Sequence, residues 1–197
     1  MDNLTVFPDD TIEVSGPISQ KFLELGMHTF RQACHYVHQL PYGYNSDKDD
    51  LFILFKEKLG TCTTKHAVIG TLAEELKIPV VKNIGIYRMT ETIVTGTDAI
   101  LKKYELPYVP MLHCFLIHEN YRVDLTEGNR NGKNCAIDEF LHTEKVIPNI
   151  SAKDEYLCYR KALKNRILLL DEFSKITMKR ILQAREEGLV LLKANVK

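Results

Sequence analysis

The first half of the chain has the hydrophobic spacing of helices. Apolar residues recur at steps of three and four along residues 18–40, which predicts one amphipathic helix. A second helix is expected over 48–58. A third begins at 61–63, where residues suited to capping a helix precede an apolar stripe that ends before Pro79. Cys62 is therefore expected at the N-terminus of the third helix.

After Pro79 the pattern becomes that of strands. Short runs rich in β-branched residues replace the helical spacing, and the runs 112–118 and 121–125 are separated by only two residues. This separation predicts a hairpin with a tight turn at Glu119 and Asn120. Other strands are expected at 80–81, 84–87 and 92–94, and an N-terminal hairpin or extended arm at 4–7 and 11–14.

The predicted hairpin also fixes which side chains share a face. A two-residue turn makes His118 face Tyr121, and the same register continued along both strands makes His113 face Thr126. Asp124 then lies on the same face as His113, diagonally across from it and within reach of its side chain. The hairpin can therefore bring an imidazole and a carboxylate together.

The last part of the chain returns to helical spacing. Ser151 and Asp154 form a capping-box pattern, and apolar positions continue to Leu182. One long helix and two helices broken near Asp171 are both compatible with this pattern. The order of elements predicts an α+β fold, in which N-terminal helices pack on an antiparallel sheet and a mainly helical extension follows over 131–197.

Composition favours one globular domain over residues 1–197. The chain has 197 residues, of which 45% are hydrophobic, with 26 basic and 26 acidic side chains. This balance excludes intrinsic disorder, and a chain of this length needs no disulfide or metal to fold. Net charge is −5 over residues 1–150 and +5 over 151–197. Because acidic residues interrupt every basic cluster, we expect solvated helix faces and no nucleic-acid partner.

Several features predict a cytoplasmic protein without a membrane segment. The longest uninterrupted apolar run, 51–55, is far shorter than the roughly 20 residues of a membrane-spanning helix. The acidic N-terminus lacks the basic and apolar regions of a secretory signal. The five cysteines are odd in number and scattered, which favours a reducing compartment.

Cys62 is the cysteine best placed for chemistry. A helix N-terminus stabilises a thiolate, which is the nucleophilic form of the side chain. Lys65, in the same helical turn, either adds positive potential or points to water. A thiolate enzyme also needs a proton acceptor and a group that orients it, and the hairpin offers His113 and Asp124 for these roles.

Two stretches of the chain resemble the transglutaminase-like superfamily. Residues 60–67 (GTCTTKHA) and 72–79 (LAEELKIP) are similar to that family's Gly-x-Cys motif, helix and following turn, with Lys77 in place of the usual Gly. Residues 113–115 (HCF) and 121–126 (YRVDLT) are similar to its His motif and closing Asp. The resemblance covers 18–130, which would be the catalytic core.

The resemblance implies a papain-like α+β fold with Cys62 as nucleophile, His113 as general base and acid, and Asp124 as orienter. It implies an enzyme that transfers the acyl group of an amide or peptide substrate. A protease, amidase or deamidase is favoured over a crosslinking transglutaminase. The chain has no Trp, unlike many members, so no oxyanion side chain carries over; the Cys62 N–H and a residue of the 42–45 loop are the expected donors.

Other interpretations of the same residues remain. His66 follows Cys62 by four residues and could form a local dyad with it, or a zinc site with Cys62, His113 and Cys114. We rank both lower, because His66 has no acid three or four residues later and the metal spacing is weak. No cofactor and no metal are predicted. The remaining four cysteines are interpreted as structural, and His118 and His142 as surface residues.

The main alternative to an enzyme is a binding module. A chain that kept this fold and lost its activity would hold a peptide or partner protein in the groove beside Cys62. The absence of Trp and of an assigned oxyanion side chain favours this alternative. The sequence predicts no particular substrate and no oligomeric state.

Overall fold

A computed structural model describes residues 3–196 and has an α+β fold. Met1, Asp2 and Lys197, at the limits of the predicted domain, lie outside the described residues. The four strands form one antiparallel sheet in the order β3-β2-β1-β4. Its strands are β1 (Val80–Met89), β2 (Val109–His118), β3 (Tyr121–Val123) and β4 (His142–Lys145). The helices are α1 (Pro17–Glu24), α2 (Phe30–Gln39), α3 (Ile53–Glu57), α4 (Cys62–Leu76), α5 (Thr97–Tyr104), α6 (Ala152–Asn165) and α7 (Met178–Asn195).

The described residues group into two compact units, each with its own apolar core. The first unit contains the described residues up to Ile84, together with Cys114–Asn129 and Lys145–Ser151. Its core is built by α1, α2 and α4 and includes Phe22, Val68 and Leu116. The candidates Cys62 and Asp124 belong to this unit.

The second unit contains Gly85–His113, Arg130–Glu144 and the described residues from Ala152 onward. Its core includes Tyr87, Met111 and Tyr159, and α5 packs against α7 within it. Tyr159 donates a hydrogen bond from its hydroxyl to the carbonyl of Pro110, 2.8 Å away. His113 is the last residue of the first segment of this unit.

The predicted helix over 18–40 is divided into α1 and α2. Gly26, with φ of 77°, adopts the left-handed conformation that ends a helix. Thr29 then caps α2: its hydroxyl accepts from the Gln32 N–H at 3.3 Å, and the Gln32 side chain accepts from the Thr29 N–H at 3.3 Å. The prediction of one helix was wrong because Gly26 and this capping box outweigh the apolar spacing.

The predicted hairpin is confirmed at its turn. His118 pairs with Tyr121, Ile117 with Arg122 and Leu116 with Val123, which is the register expected for a two-residue turn. Glu119 supplies the positive φ, 52°, that such a turn requires. The predicted continuation to a His113–Thr126 pair was wrong, since β3 ends at Val123 and Asp124 begins a turn.

Other segments depart from the expected elements. Residues 80–89 form one strand, 92–94 form a turn, and α5 was not predicted. Residues Asn3–Val6 form a 3-10 helix where a β-like piece was expected, and the helix expected over 48–58 is only α3. The C-terminal helices are separate, with two 3-10 turns between α6 and α7. Among residues 3–196, no helix is long and apolar enough to span a bilayer.

Candidate functional site

The site begins at the first turn of α4. Thr61 is the residue before the helix, and its N–H donates to the hydroxyl of Thr64 at 3.1 Å. A Cβ at Gly60 would lie 2.7 Å from that hydroxyl oxygen, so glycine is needed for this close approach. Cys62 is the first helical residue, as predicted, and 9% of its surface is exposed. Its thiol therefore lies where the helix dipole favours the anion.

The loop before α3 is hydrogen-bonded to Gly60. The Gly60 N–H donates to the Pro41 carbonyl at 3.1 Å, and the Gly43 N–H donates to the Gly60 carbonyl at 3.3 Å. Asn45 accepts from the Thr64 hydroxyl at 2.8 Å, while its NH₂ donates to Glu57 and to the Leu59 carbonyl. The Asn45 carboxamide is thus committed to holding the loop on α4, and it is a poor oxyanion donor.

Tyr44 is the residue of this loop whose pKa is affected by Cys62. Burial and, second, the charge of Cys62 raise the pKa of Tyr44 to about 12. The Tyr44 hydroxyl therefore keeps its proton at neutral pH and is within electrostatic range of the thiol. A neutral phenol of this kind is a hydrogen-bond donor.

Lys65 is buried and does not point to water. Its ammonium group donates to the carbonyls of His38 and Leu40, at 3.2 and 2.5 Å, which lie at the C-terminal end of α2. Asn129 donates to the same two carbonyls. Burial lowers the pKa of Lys65 to about 8, and the charge of Asp124 opposes this shift. Lys65 and Asn129 together cap α2, which has no other basic partner for these carbonyls in the described contacts.

His66 joins the first turn of α4 to the turn after β3. Its Nδ1 is 2.7 Å from the carbonyl oxygen of Cys62, and its Nε2 accepts the Leu125 N–H at 2.8 Å. A carbonyl can only accept and an N–H can only donate, so Nδ1 carries the proton and the ring is neutral. This geometry does not favour the lower-ranked alternative of a local dyad between Cys62 and His66, because the Nδ1 proton is donated to the backbone carbonyl of Cys62.

Asp124 is fixed by the turn that it begins. Its Oδ1 accepts from the Thr126 N–H at 2.8 Å and from the Thr126 hydroxyl at 2.7 Å. The same oxygen is 3.5 Å from Nε2 of His66. Asp124 therefore lies beside His66. This acid–imidazole pair was not predicted from the sequence, in which Asp124 was assigned to His113.

His113, the third candidate, belongs to the second unit. It is 2% exposed, and its ring meets the ring of Tyr87 edge-on with 6.4 Å between centroids. Within the first unit, Cys62 and Asp124 are both connected to His66. The catalytic roles predicted for Cys62, His113 and Asp124 stay predictions.

The zinc hypothesis finds no support. Both ring nitrogens of His66 are used by backbone groups, and the Cys114 sulfur is 3.8 Å from the Thr63 hydroxyl. In the described part of the chain, no group of three or more His, Cys, Asp or Glu side chains could hold a metal ion.

The other cysteines and His118 occupy different environments. Burial raises the pKa of the Cys34 thiol well above its usual range, and burial also raises that of Cys158. Cys135 is exposed, so burial does not support the structural role predicted for it. His118 is 9% exposed with Nδ1 3.1 Å from the Pro79 carbonyl, so it is not the surface residue that was predicted.

Comparison of the chain with protein-family models, with curated proteins and with solved structures finds no match.

Proposed function

We propose that the chain is a cysteine-dependent acyl-transfer enzyme that acts on amide or peptide bonds, with a papain-like, transglutaminase-like core. The observation that carries the proposal is the position of Cys62. It is the first residue of a 15-residue helix, it retains some exposure, and the neutral Tyr44 hydroxyl is within range of its charge. Such surroundings favour a nucleophilic thiolate.

In the proposed reaction His113 takes the proton of the Cys62 thiol, and the resulting thiolate sulfur attacks the carbonyl carbon of the substrate. The tetrahedral intermediate collapses as the carbon–nitrogen bond breaks, His113 protonates the departing amine, and a thioester to Cys62 remains. Water, deprotonated by His113, then hydrolyses the thioester and restores the thiol. Asp124 orients the imidazole of His113 and stabilises its charged form.

His66 is not the base in this proposal. Its Nδ1 proton is donated to the Cys62 carbonyl and its Nε2 lone pair accepts from Leu125. Taking a proton from the thiol would break one of these two buried hydrogen bonds. The fixed Asp124 carboxylate, held by Thr126, supports its proposed role as an orienting group.

Alkylation with iodoacetamide tests the proposal without knowledge of the substrate. At pH 6 we expect Cys62 to react at least about tenfold faster than Cys34 or Cys158, because only a thiolate attacks the reagent. Peptide mapping after short exposures gives the rate at each cysteine. Equal rates at Cys62 and Cys158 would mean that the activated thiolate is absent.

Turnover is tested with a library of peptidyl aminomethylcoumarins. We expect hydrolysis by the wild-type chain and its loss in Cys62→Ala and in His113→Ala. Activity that survives His113→Ala would remove His113 from the mechanism. Tight binding of a library peptide without turnover would support the binding-module alternative.

A further inference from the structure

We propose that His66 is a positioning residue, whose neutral imidazole joins the Cys62 carbonyl to the turn that carries Asp124. This inference rests on the proposed function for its catalytic consequence. It rests on geometry for the link itself: contacts of 2.7 and 2.8 Å at the two ring nitrogens, and a ring with no exposed surface.

The link exists in only one protonation state of the ring. Nε2 accepts from the Leu125 N–H, so it must lack a proton. A second proton on the ring would sit on Nε2, face the Leu125 N–H and end that hydrogen bond. An acceptor for the new proton is Oδ1 of Asp124, 3.5 Å away.

Protonation of His66 would therefore redirect Asp124. Oδ1 now accepts from the N–H and the hydroxyl of Thr126. A charged His66 would form an ion pair with this carboxylate and leave Leu125 without its acceptor. Asp124 would then be held by His66, so its proposed role as an orienting group would be lost and the proposed activity would fall.

The charged groups around His66 come from three elements. Asp124, in the turn after β3, favours the protonated ring, and Lys65, in α4, opposes it when charged. Cys62 contacts the ring through its carbonyl, and His38 of α2 lies behind the turn with Nδ1 3.3 Å from the Leu125 carbonyl. Of these groups, the Asp124 carboxylate lies within ion-pair distance of the ring, 3.5 Å from Oδ1 to Nε2, so protonation of His66 is coupled to Asp124.

Two substitutions separate the contacts of the ring. In His66→Gln the terminal carboxamide reaches the place of Nε2 and can offer an oxygen to the Leu125 N–H. In His66→Asn the shorter carboxamide reaches the place of Nδ1 and can donate to the Cys62 carbonyl, but the Leu125 N–H loses its acceptor. If the link to the Asp124 turn matters, Gln is the conservative replacement and Asn is not.

The link is tested by NMR of the full chain labelled with ¹⁵N and ¹³C. At pH 8 the His66 signals, assigned by their loss in His66→Gln, should show a protonated Nδ1 and a bare Nε2. On acidification the Leu125 amide proton and the Asp124 carboxyl carbon should shift with the midpoint of His66. A protonated Nε2 at pH 8 would overturn the proposal. So would Leu125 and Asp124 chemical shifts that do not change as His66 titrates.

Kinetics test the consequence separately. At pH 8, His66→Gln should keep kcat within about threefold of wild type, whereas His66→Asn should lower kcat about tenfold with KM unchanged. The fall of kcat at acid pH should be less steep in His66→Gln, which lacks the titrating ring. If kcat falls equally steeply at acid pH in wild type and in His66→Gln, the proposed coupling between His66 and Asp124 is overturned. If no variant and no wild-type chain turns over, the proposed function fails while the NMR result still decides the link.

Discussion

Two cysteines of the first unit, Cys34 in the middle of α2 and Cys62 in the first turn of α4, differ in their surroundings. Cys34 lies within α2, fully buried in the core of the first unit, where burial raises the pKa of its thiol well above the usual range. Cys62 is the first residue of α4 and is 9% exposed, at a point where the first N–H groups of the helix have no intrahelical partner. The two cysteines therefore differ in their position along a helix as well as in depth, and the proposed nucleophile is the one at a helix N-terminus.

The largest expected effect is the loss of activity in Cys62→Ala. If Cys62 is the nucleophile, turnover of the coumarin library should fall by at least about 10³-fold, because the thioester cannot form. Cys34→Ala is the matched control. It removes a sulfur from the core and should cost about 1 kcal/mol of stability, with turnover changed less than about threefold. Equal losses of activity in Cys62→Ala and Cys34→Ala would contradict the proposal that Cys62 is the nucleophile.

The buried side chain of Lys65 also connects the first turn of α4 to the C-terminal end of α2. Lys65, one turn into α4, donates to the carbonyls at the end of α2, and burial lowers its pKa to about 8. In the unfolded chain a lysine has a pKa of about 10.4. Between these values the unfolded chain holds a proton that the folded chain has released, so stability rises with pH over this window.

The size of this effect is about 3 kcal/mol across the whole window, and the neutral amine still donates to both carbonyls. Urea unfolding at pH 8 and pH 10 measures it as the stability of wild type relative to Lys65→Met. That difference should grow in favour of wild type with rising pH. Lys164→Met, at an exposed position of α6, is the control and should show no such growth. Parallel pH dependences for wild type and Lys65→Met would contradict the assigned charge.

Local signals explain the parts of the fold that the sequence predicts well. The start of α4 follows from cap-type residues before an apolar stripe, and the hairpin register follows from the two-residue turn at Glu119 and Asn120. The number of residue pairs between β2 and β3 could not be predicted from the alternation of apolar and polar residues. The side chain of Asp124 accepts the Thr126 N–H, and this local hydrogen bond ends the strand.

The surroundings of the candidate site depend on contacts between distant parts of the chain. His66 meets the turn at Asp124 and Leu125, and Lys65 reaches the end of α2. Periodicity shows that both residues lie on α4, but it does not identify their partners. Adjacent Lys and His residues within the predicted helix are the signal that could have indicated such contacts. If such a helix packs in a core, both side chains must find polar partners.

The position of Cys62 itself can be perturbed by substitution of Gly60. A methyl group there would lie 2.7 Å from the Thr64 hydroxyl oxygen and 3.0 Å from the side chain of Leu54. Gly60→Ala should cost about 1–3 kcal/mol and slow alkylation of Cys62, because Thr64 must release Thr61 and Asn45. The measurement is a double-mutant cycle with Thr64→Ala, in which we expect the combined loss to be smaller than the sum. Additive losses would show that the methyl group does not act through Thr64.

The smallest expected effect concerns the carboxylate. Thr126→Val keeps the shape of a side chain with no exposed surface and removes one of the two hydrogen bonds that hold Oδ1 of Asp124. We expect about 1–2 kcal/mol of lost stability and about a tenfold loss of kcat, since a carboxylate that can rotate orients an imidazole less well.

A second threonine separates these two consequences. Thr97 is equally buried, and its hydroxyl donates to the Val94 carbonyl at 2.6 Å in the second unit. Thr97→Val should therefore show a similar loss of stability in urea and an unchanged kcat. Both variants delete one hydroxyl from a buried site, and only in Thr126→Val does the lost hydroxyl bind Asp124. Equal kcat in the two variants would mean that fixing this carboxylate has no part in turnover, and that the chemistry beside α4 depends on Cys62 without the help of the turn.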